Sequence, residues 1–342
     1  MIKSISISFL SGLAALALAG AAFAAGPTLS VSATTSELSA TASTIIRFDD
    51  TGADPTASID VFAPAGYAID LAQPIGATIG ALDAHVSTAT STDTRVSGLI
   101  KNANPAAYAS AAAACTPDRT AHDAVWTVNL NSGGTLVGHL TLFADLATSS
   151  QAADYSGRVR ACLDDPATSG FRLIHATLTL NGLFANPTTA GDYRWTTILR
   201  TFSQTPAVPL ESQTIVSLPP QLTLTRKVIR PKRSRGRRFI RLSGAVTANG
   251  RGVPGVRVEV LAGQRSAALR RLTYATSFER GRFAAVAPLR GNTVFRARIS
   301  APLRAGPLSR CDSFKLQPDA ICSSLTLAPF TAQSRSLTVP PR

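Results

Sequence analysis

Leu136-Val137-Gly138-His139-Leu140-Thr141-Leu142-Phe143 decides the fold class. Its apolar residues alternate or run in short blocks and do not recur at the three-and-four spacing of a helix face. An extended chain with side chains at period two can bury one row and leave the other at the surface. Working outward, Trp126-Thr127-Val128-Asn129-Leu130, Ser58-Ile59-Asp60-Val61-Phe62 and Ala176-Thr177-Leu178-Thr179-Leu180 have the same character, and clusters of Gly, Pro, Asn and Asp separate them. One segment differs. Asn104 can cap, Pro105 suits a first helical turn, and Ala106 to Ala114 propagate it, so a short surface helix is expected to lead into Cys115. The expectation is an all-β chain: a mostly antiparallel β-sandwich with one short helix, followed by a second sandwich.

The second half carries a clearer rhythm. Leu242-Ser243-Gly244-Ala245-Val246 leads through Asn249-Gly250 and Gly252-Val253-Pro254-Gly255 into Val256-Arg257-Val258-Glu259-Val260. Leu272 to Phe278, Gly281-Arg282-Phe283 and Thr293-Val294-Phe295-Arg296-Ala297-Arg298-Ile299 follow. Val256, Val258 and Val260 point one way and Arg257 and Glu259 the other, while Asn249-Gly250 favours a tight turn. Over about 223–301 this order resembles bacterial immunoglobulin-like and carboxypeptidase-regulatory-like modules. The resemblance implies an Ig-like sandwich used as an add-on domain of exported proteins, and it carries no functional residue. The first half is similar to secreted bacterial proteins of unassigned role, without a motif that transfers residues.

Export fixes the compartment. Lys3 supplies a positive start, Phe9 to Ala22 an apolar run too short to span a bilayer, and Ala22-Phe23-Ala24 a small-x-small cleavage site, so residues 1–24 read as a signal peptide. The expected organisation is a sandwich over 25–204, a Pro-rich linker over 205–221, and a basic Ig-like sandwich over 222–342. The four cysteines fall two per half and allow three connectivities, of which pairing by proximity, Cys115 to Cys162 and Cys311 to Cys322, is favoured. Without a CxxC or a neighbouring His they read as staples in an oxidising space, with no metal and no cofactor expected.

The charge is split. Residues 25–220 hold nine Lys and Arg against sixteen Asp and Glu, whereas 221–342 hold twenty-four against four. Within 226–241 stand Arg226, Lys227, Arg230, Lys232, Arg233, Arg235, Arg237, Arg238 and Arg241, with no acid among them. A guanidinium forks onto phosphate and carboxylate oxygens, so this cluster points to an anionic cell-wall polymer or another extracellular polyanion. Few aromatics are interleaved for base stacking, which argues against sequence-specific nucleic acid. The acidic first domain is left to be displayed or to bind a second protein.

Catalytic patterns are thin. No G-x-S-x-G, HExxH, P-loop or GxGxxG is present. His85, His122, His139 and His175 are scattered, His122-Asp123 is the nearest to a reactive pair, and Asp49-Asp50 through Asp54 lacks EF-hand spacing and reads as a turn. The function expected is therefore non-catalytic adhesion or structure at the cell envelope. The alternative is a secreted hydrolase working through carboxylates such as Asp164-Asp165 or Asp49-Asp50, with the basic domain as its tether.

Overall fold

A computed structural model describes residues 27–342 except 51, 118, 120, 203–208, 219, 230–238, 249–250, 289–291, 300–310, 312–313, 329–331 and 341–342. The signal-peptide expectation and six of the nine basic-cluster residues, Arg230, Lys232, Arg233, Arg235, Arg237 and Arg238, lie outside the described residues.

The fold is all-β, with two short α-helices among the described residues. The first part of the chain contributes β1 (Thr28–Ala33), β2 (Thr41–Asp49), β3 (Thr56–Pro64), β4 (Ala68–Ile69), β5 (Thr78–Thr88), β6 (Thr94–Ala103), β7 (Ala124–Ser132), β8 (Thr135–Leu146), β9 (Tyr155–Cys162), β10 (Phe171–Ala185), β11 (Gly191–Thr201) and β12 (Leu210–Leu218). Then come β13 (Gln221–Leu222), β14 (Thr225–Ile229), β15 (Phe239–Ala248), β16 (Arg251–Gly252), β17 (Arg257–Gly263), β18 (Arg270–Thr276), β19 (Arg282–Pro288), β20 (Thr293–Ile299), β21 (Ile321–Ala328), β22 (Ala332–Gln333) and β23 (Leu337–Val339).

The large sheet runs β1-β2-β10-β5-β6-β7-β8-β9-β3-β11-β12-β21, with β4 beside β10. It folds over on itself. Its two ends meet where Val31 N donates to Thr214 Oγ1 at 3.0 Å and Ser323 Oγ donates to Pro27 O at 3.2 Å. Inward rows from every layer, including Phe48, Val61, Leu82, Trp126, Leu142, Val159, Leu180 and Leu199, form one core. Its burial is the main driving force for this part of the chain.

The expected helix is present with its cap. Asn104 accepts from Ala106 N, Pro105 opens a 3-10 turn to Tyr108, and α1 (Ala109–Cys115) continues it. This segment covers the outward Val125 and Phe143, making a small outer core with Ala112. A second helical turn, α2 (Pro166–Ser169), has Asp165 as cap and Gly170 in the left-handed conformation at its end. Both cysteine pairs stand at disulfide distance, each with Cα atoms 5.7 Å apart.

A second core lies between β13, β14, β15, β16 and β19 on one side and β17, β18, β20, β22 and β23 on the other. Two glycines of its rhythm have steric reasons. A Cβ on Gly244 would lie 2.5 Å from the Phe283 ring, and one on Gly281, at φ +69°, would lie 2.1 Å from the Val246 carbonyl.

Two boundaries differ from expectation. Residues 205–221, expected as a linker, contain β12, which is buried along nearly its whole length between β11 and β21. The segment after Cys311, expected in the second unit, returns to the first: β21 pairs in parallel with β12, and Phe314 packs on Phe62, Tyr155 and Ile198. Proline content marks turns, and strand pairing between residues more than a hundred positions apart leaves no local trace.

Candidate functional site

On the second unit, β14 and β15 are antiparallel neighbours, and Lys227 and Arg241 are direct register partners there. Arg241 alternates with the core residues Ile240 and Leu242, so it points outward, and both cations are exposed. No acid pairs with either among the described residues. Like charges directly opposite on a sheet repel, and an anion placed between them relieves this. Arg226 points the other way, toward the second sheet, and its guanidinium donates to the Thr338 carbonyl.

The outer face of β17, β18 and β20 is cationic as well. Glu259 sits between Tyr274 and Arg298 in register and pairs with Arg298 at 2.6 Å. Arg257 stacks on Tyr274 with its Cζ 3.6 Å from the ring centroid, while Arg271 donates to the Tyr274 hydroxyl at 2.6 Å. Two guanidinium groups are thus held in place on one phenol, oriented before any ligand arrives. Sequence reasoning missed this pair. Tyr274 lies seventeen residues beyond Arg257 and outside the dense cluster, and the β17–β18 ladder joins them.

The first unit gathers charge differently. Asp60, 1% exposed, is held by Arg160 and Arg200 from the strands on either side. Asp145, also buried, receives Arg158 Nη2 at 3.0 Å, Arg119 Nε at 3.2 Å and His122 Nδ1 at 2.9 Å. The other His122 nitrogen lies 2.8 Å from Thr116 Oγ1. This order of hydroxyl, imidazole and carboxylate has the connectivity of a nucleophilic triad. Thr116 is fully buried, however, and its hydroxyl faces the carbonyls of Ala112 at 2.8 Å and Arg119 at 2.6 Å. It closes the end of α1 and ties the loop to β8. Asp123, the sequence neighbour of His122, instead accepts from Leu146 N and pairs with Arg119.

The carboxylate pairs do not converge. Asp49 is outward and bonded to His175 at 2.6 Å, whereas Asp50 is buried, bonded to Arg172 and to the Gly52 and Thr56 amides. Asp165 caps α2. His175 and His85 are register partners on the outer face, with rings 6.2 Å apart, and His85 is bonded to Asp93. Among the described residues no group of three or more His, Cys, Asp or Glu side chains is arranged to hold a metal. No described helix is long and apolar enough to cross a membrane.

No family model matches the chain, and no curated protein matches it.

Proposed function

We propose that this chain is an exported, non-catalytic attachment protein whose second unit binds anionic polymer electrostatically. The observation that carries the reading is the pair of Lys227 and Arg241, facing each other on an exposed strand ladder with no acid partner among the described residues. The Arg257, Tyr274 and Arg271 arrangement on the other sheet extends the same chemistry, while Glu259 on that face pairs with Arg298. The sequence supplies still more arginine between β14 and β15 and almost no acid after residue 220. An export signal, two cysteine pairs and the resemblance of 223–301 to immunoglobulin-like add-on modules support an extracytoplasmic setting, where phosphate- and uronate-bearing polymers are exposed.

The test is retention of the mature chain on dextran sulfate beads across a salt series. Counterion release requires retention to fall steeply as salt rises. A variant carrying Ser at positions 227, 241, 257 and 271 is expected to elute at much lower salt, as is one with Ser at 233, 235, 237 and 238. Retention indifferent to salt, or unchanged in both variants, rejects the reading.

A further inference from the structure

The large sheet has a gap in its wall. β8 runs from Thr135 to Leu146, but β9 pairs with it only from Leu142 to Leu146. On the side of β8 that β9 would occupy, the Thr135 to Thr141 half therefore has no ladder partner among the described residues. The chain passes there instead through Leu163, α2 and Phe171. Behind the gap lies a cavity of about 420 Å³ lined by inward residues of both layers, among them Phe48, Val61, Leu82, Leu142, Val159 and Leu178. Leu140, Leu173, Ala176 and Leu178 belong to core-facing rows yet stay only half-buried, as expected of side chains around a space that solvent can reach.

We propose that this cavity is a binding site for a small uncharged hydrophobic molecule, an aliphatic chain or ring system with a hydroxyl-type head at the mouth. Native cores leave few voids larger than a water molecule, whereas ligand pockets occupy about 300–1,000 Å³ and are mostly apolar. A void lined by Leu, Val, Ile, Ala and Phe gives water no partners, so an apolar ligand regains the contacts the walls lack. The polar groups gather at the rim, in His139, Thr141 and Asp164. The Asn129 side-chain Oδ1 lies 2.9 Å from His139 Nδ1. An amide oxygen accepts, so in the neutral ring Nδ1 donates to it and Nε2 is left to accept from a hydroxyl. The Asp164 carboxylate on the same rim disfavours an anionic head.

The mouth is built to keep its shape. Cys162 is the last residue of β9, and its bond to Cys115 anchors α1, whose Ala111 and Ala114 face the opening. The Phe171 ring lies over Gly138, 3.6 Å from where a Cβ would stand, and separates the main cavity from a smaller one of about 230 Å³. Phe171 lines both spaces and stands where a ligand would enter.

The probe is N-phenyl-1-naphthylamine titrated into the mature chain, read by its fluorescence gain. Saturation at one probe per chain is expected, unaffected by salt, with displacement by 1-dodecanol at least tenfold more effective than by dodecanoate. Ala176→Phe, which fills the cavity, and Leu173→Trp, at the more open mouth, should each weaken the probe at least tenfold while circular dichroism is unchanged. Should Ala176→Phe fail to fold, Leu173→Trp and a rise in wild-type Tm with 1-dodecanol still decide the matter. No saturable binding, or undiminished binding in a folded Leu173→Trp variant, overturns the proposal. Dodecanoate outcompeting dodecanol overturns the assignment of the head group.

Discussion

Arg160 stands directly opposite Asp60 across β3 and β9 and holds it with two bonds, Nε to Oδ1 at 2.5 Å and Nη2 to Oδ2 at 2.9 Å. Arg200 adds a third from β11 at 3.0 Å, and its other nitrogen reaches Gln317 in the returning C-terminal segment. One buried carboxylate thus joins three neighbouring strands to the segment that crosses them.

Asp60→Ala leaves two guanidinium groups, 13% and 28% exposed, without their shared counter-charge. Removing one partner of a buried ion pair costs about 3–5 kcal/mol, so its urea midpoint should fall sharply. Arg200→Gln, at the more exposed arm, should cost clearly less. Equal losses would mean that Asp60 acts through packing alone.

Tyr67 is a buried phenol beside the Trp195 indole, and among the described residues neither its hydroxyl nor the indole N–H makes a hydrogen bond of good geometry. Burial pushes its pKa up to about 12, with Trp195 acting the other way and Tyr193 adding to the rise. The folded state then keeps a proton that the unfolded chain, near 10, has already given up. The stability tied to that proton is fully present below pH 10 and is lost as pH rises through 12, about 2–3 kcal/mol in all. Ultraviolet titration should show two of the five tyrosines ionising late, Tyr67 and Tyr155, both raised by burial. Tyr67→Phe should remove its share of that phase and be neutral or up to about 1 kcal/mol stabilising, because the lost hydroxyl makes no hydrogen bond of good geometry.

The two cysteine bridges close loops of different length, with sequence separations of 47 and 11. On the chain-entropy account, Cys115→Ala with Cys162→Ala should cost about 4 kcal/mol, and the other double replacement about 3. The first pair should also loosen the cavity mouth, read as faster proteolysis around α1. The second should loosen the packing of Phe314, since it lies at the base of that segment.

Lys227→Glu turns a repulsive cross-strand pair into an attractive one. A gain of roughly 0.2–1 kcal/mol in stability is expected together with weaker retention on polyanion. Stability and retention moving in opposite directions would mark Lys227 as held for binding; a joint fall would show that it serves the fold.

Much of the architecture could be read locally. Asn104 and Pro105 announce a helical turn because capping and ring geometry act within a few residues, and the same chemistry in Asp165, Pro166 and Gly170 marks α2, a second helix that the expectation of one short helix did not include. The candidate site was less accessible. Arg226, Lys227 and Arg241 lay inside the recognised cluster, yet their facing pair and the Arg257, Tyr274 and Arg271 group exist only through strand register. His85 and His175, scattered in sequence, stand side by side through the β5–β10 register.

Period-two patterning, turn chemistry and charge therefore determined the strands, the covered helix, the cysteine pairs and the cationic character of the second half, since each depends on neighbours along the chain. Tertiary structure alone decided that β12 and β21 pair in parallel, that residues 314–328 return to the first unit, and that β9 pairs with only the last part of β8 and opens a cavity. Those outcomes depend on which distant strand supplies a backbone partner, and every exposed edge in the chain offers the same N–H and C=O groups.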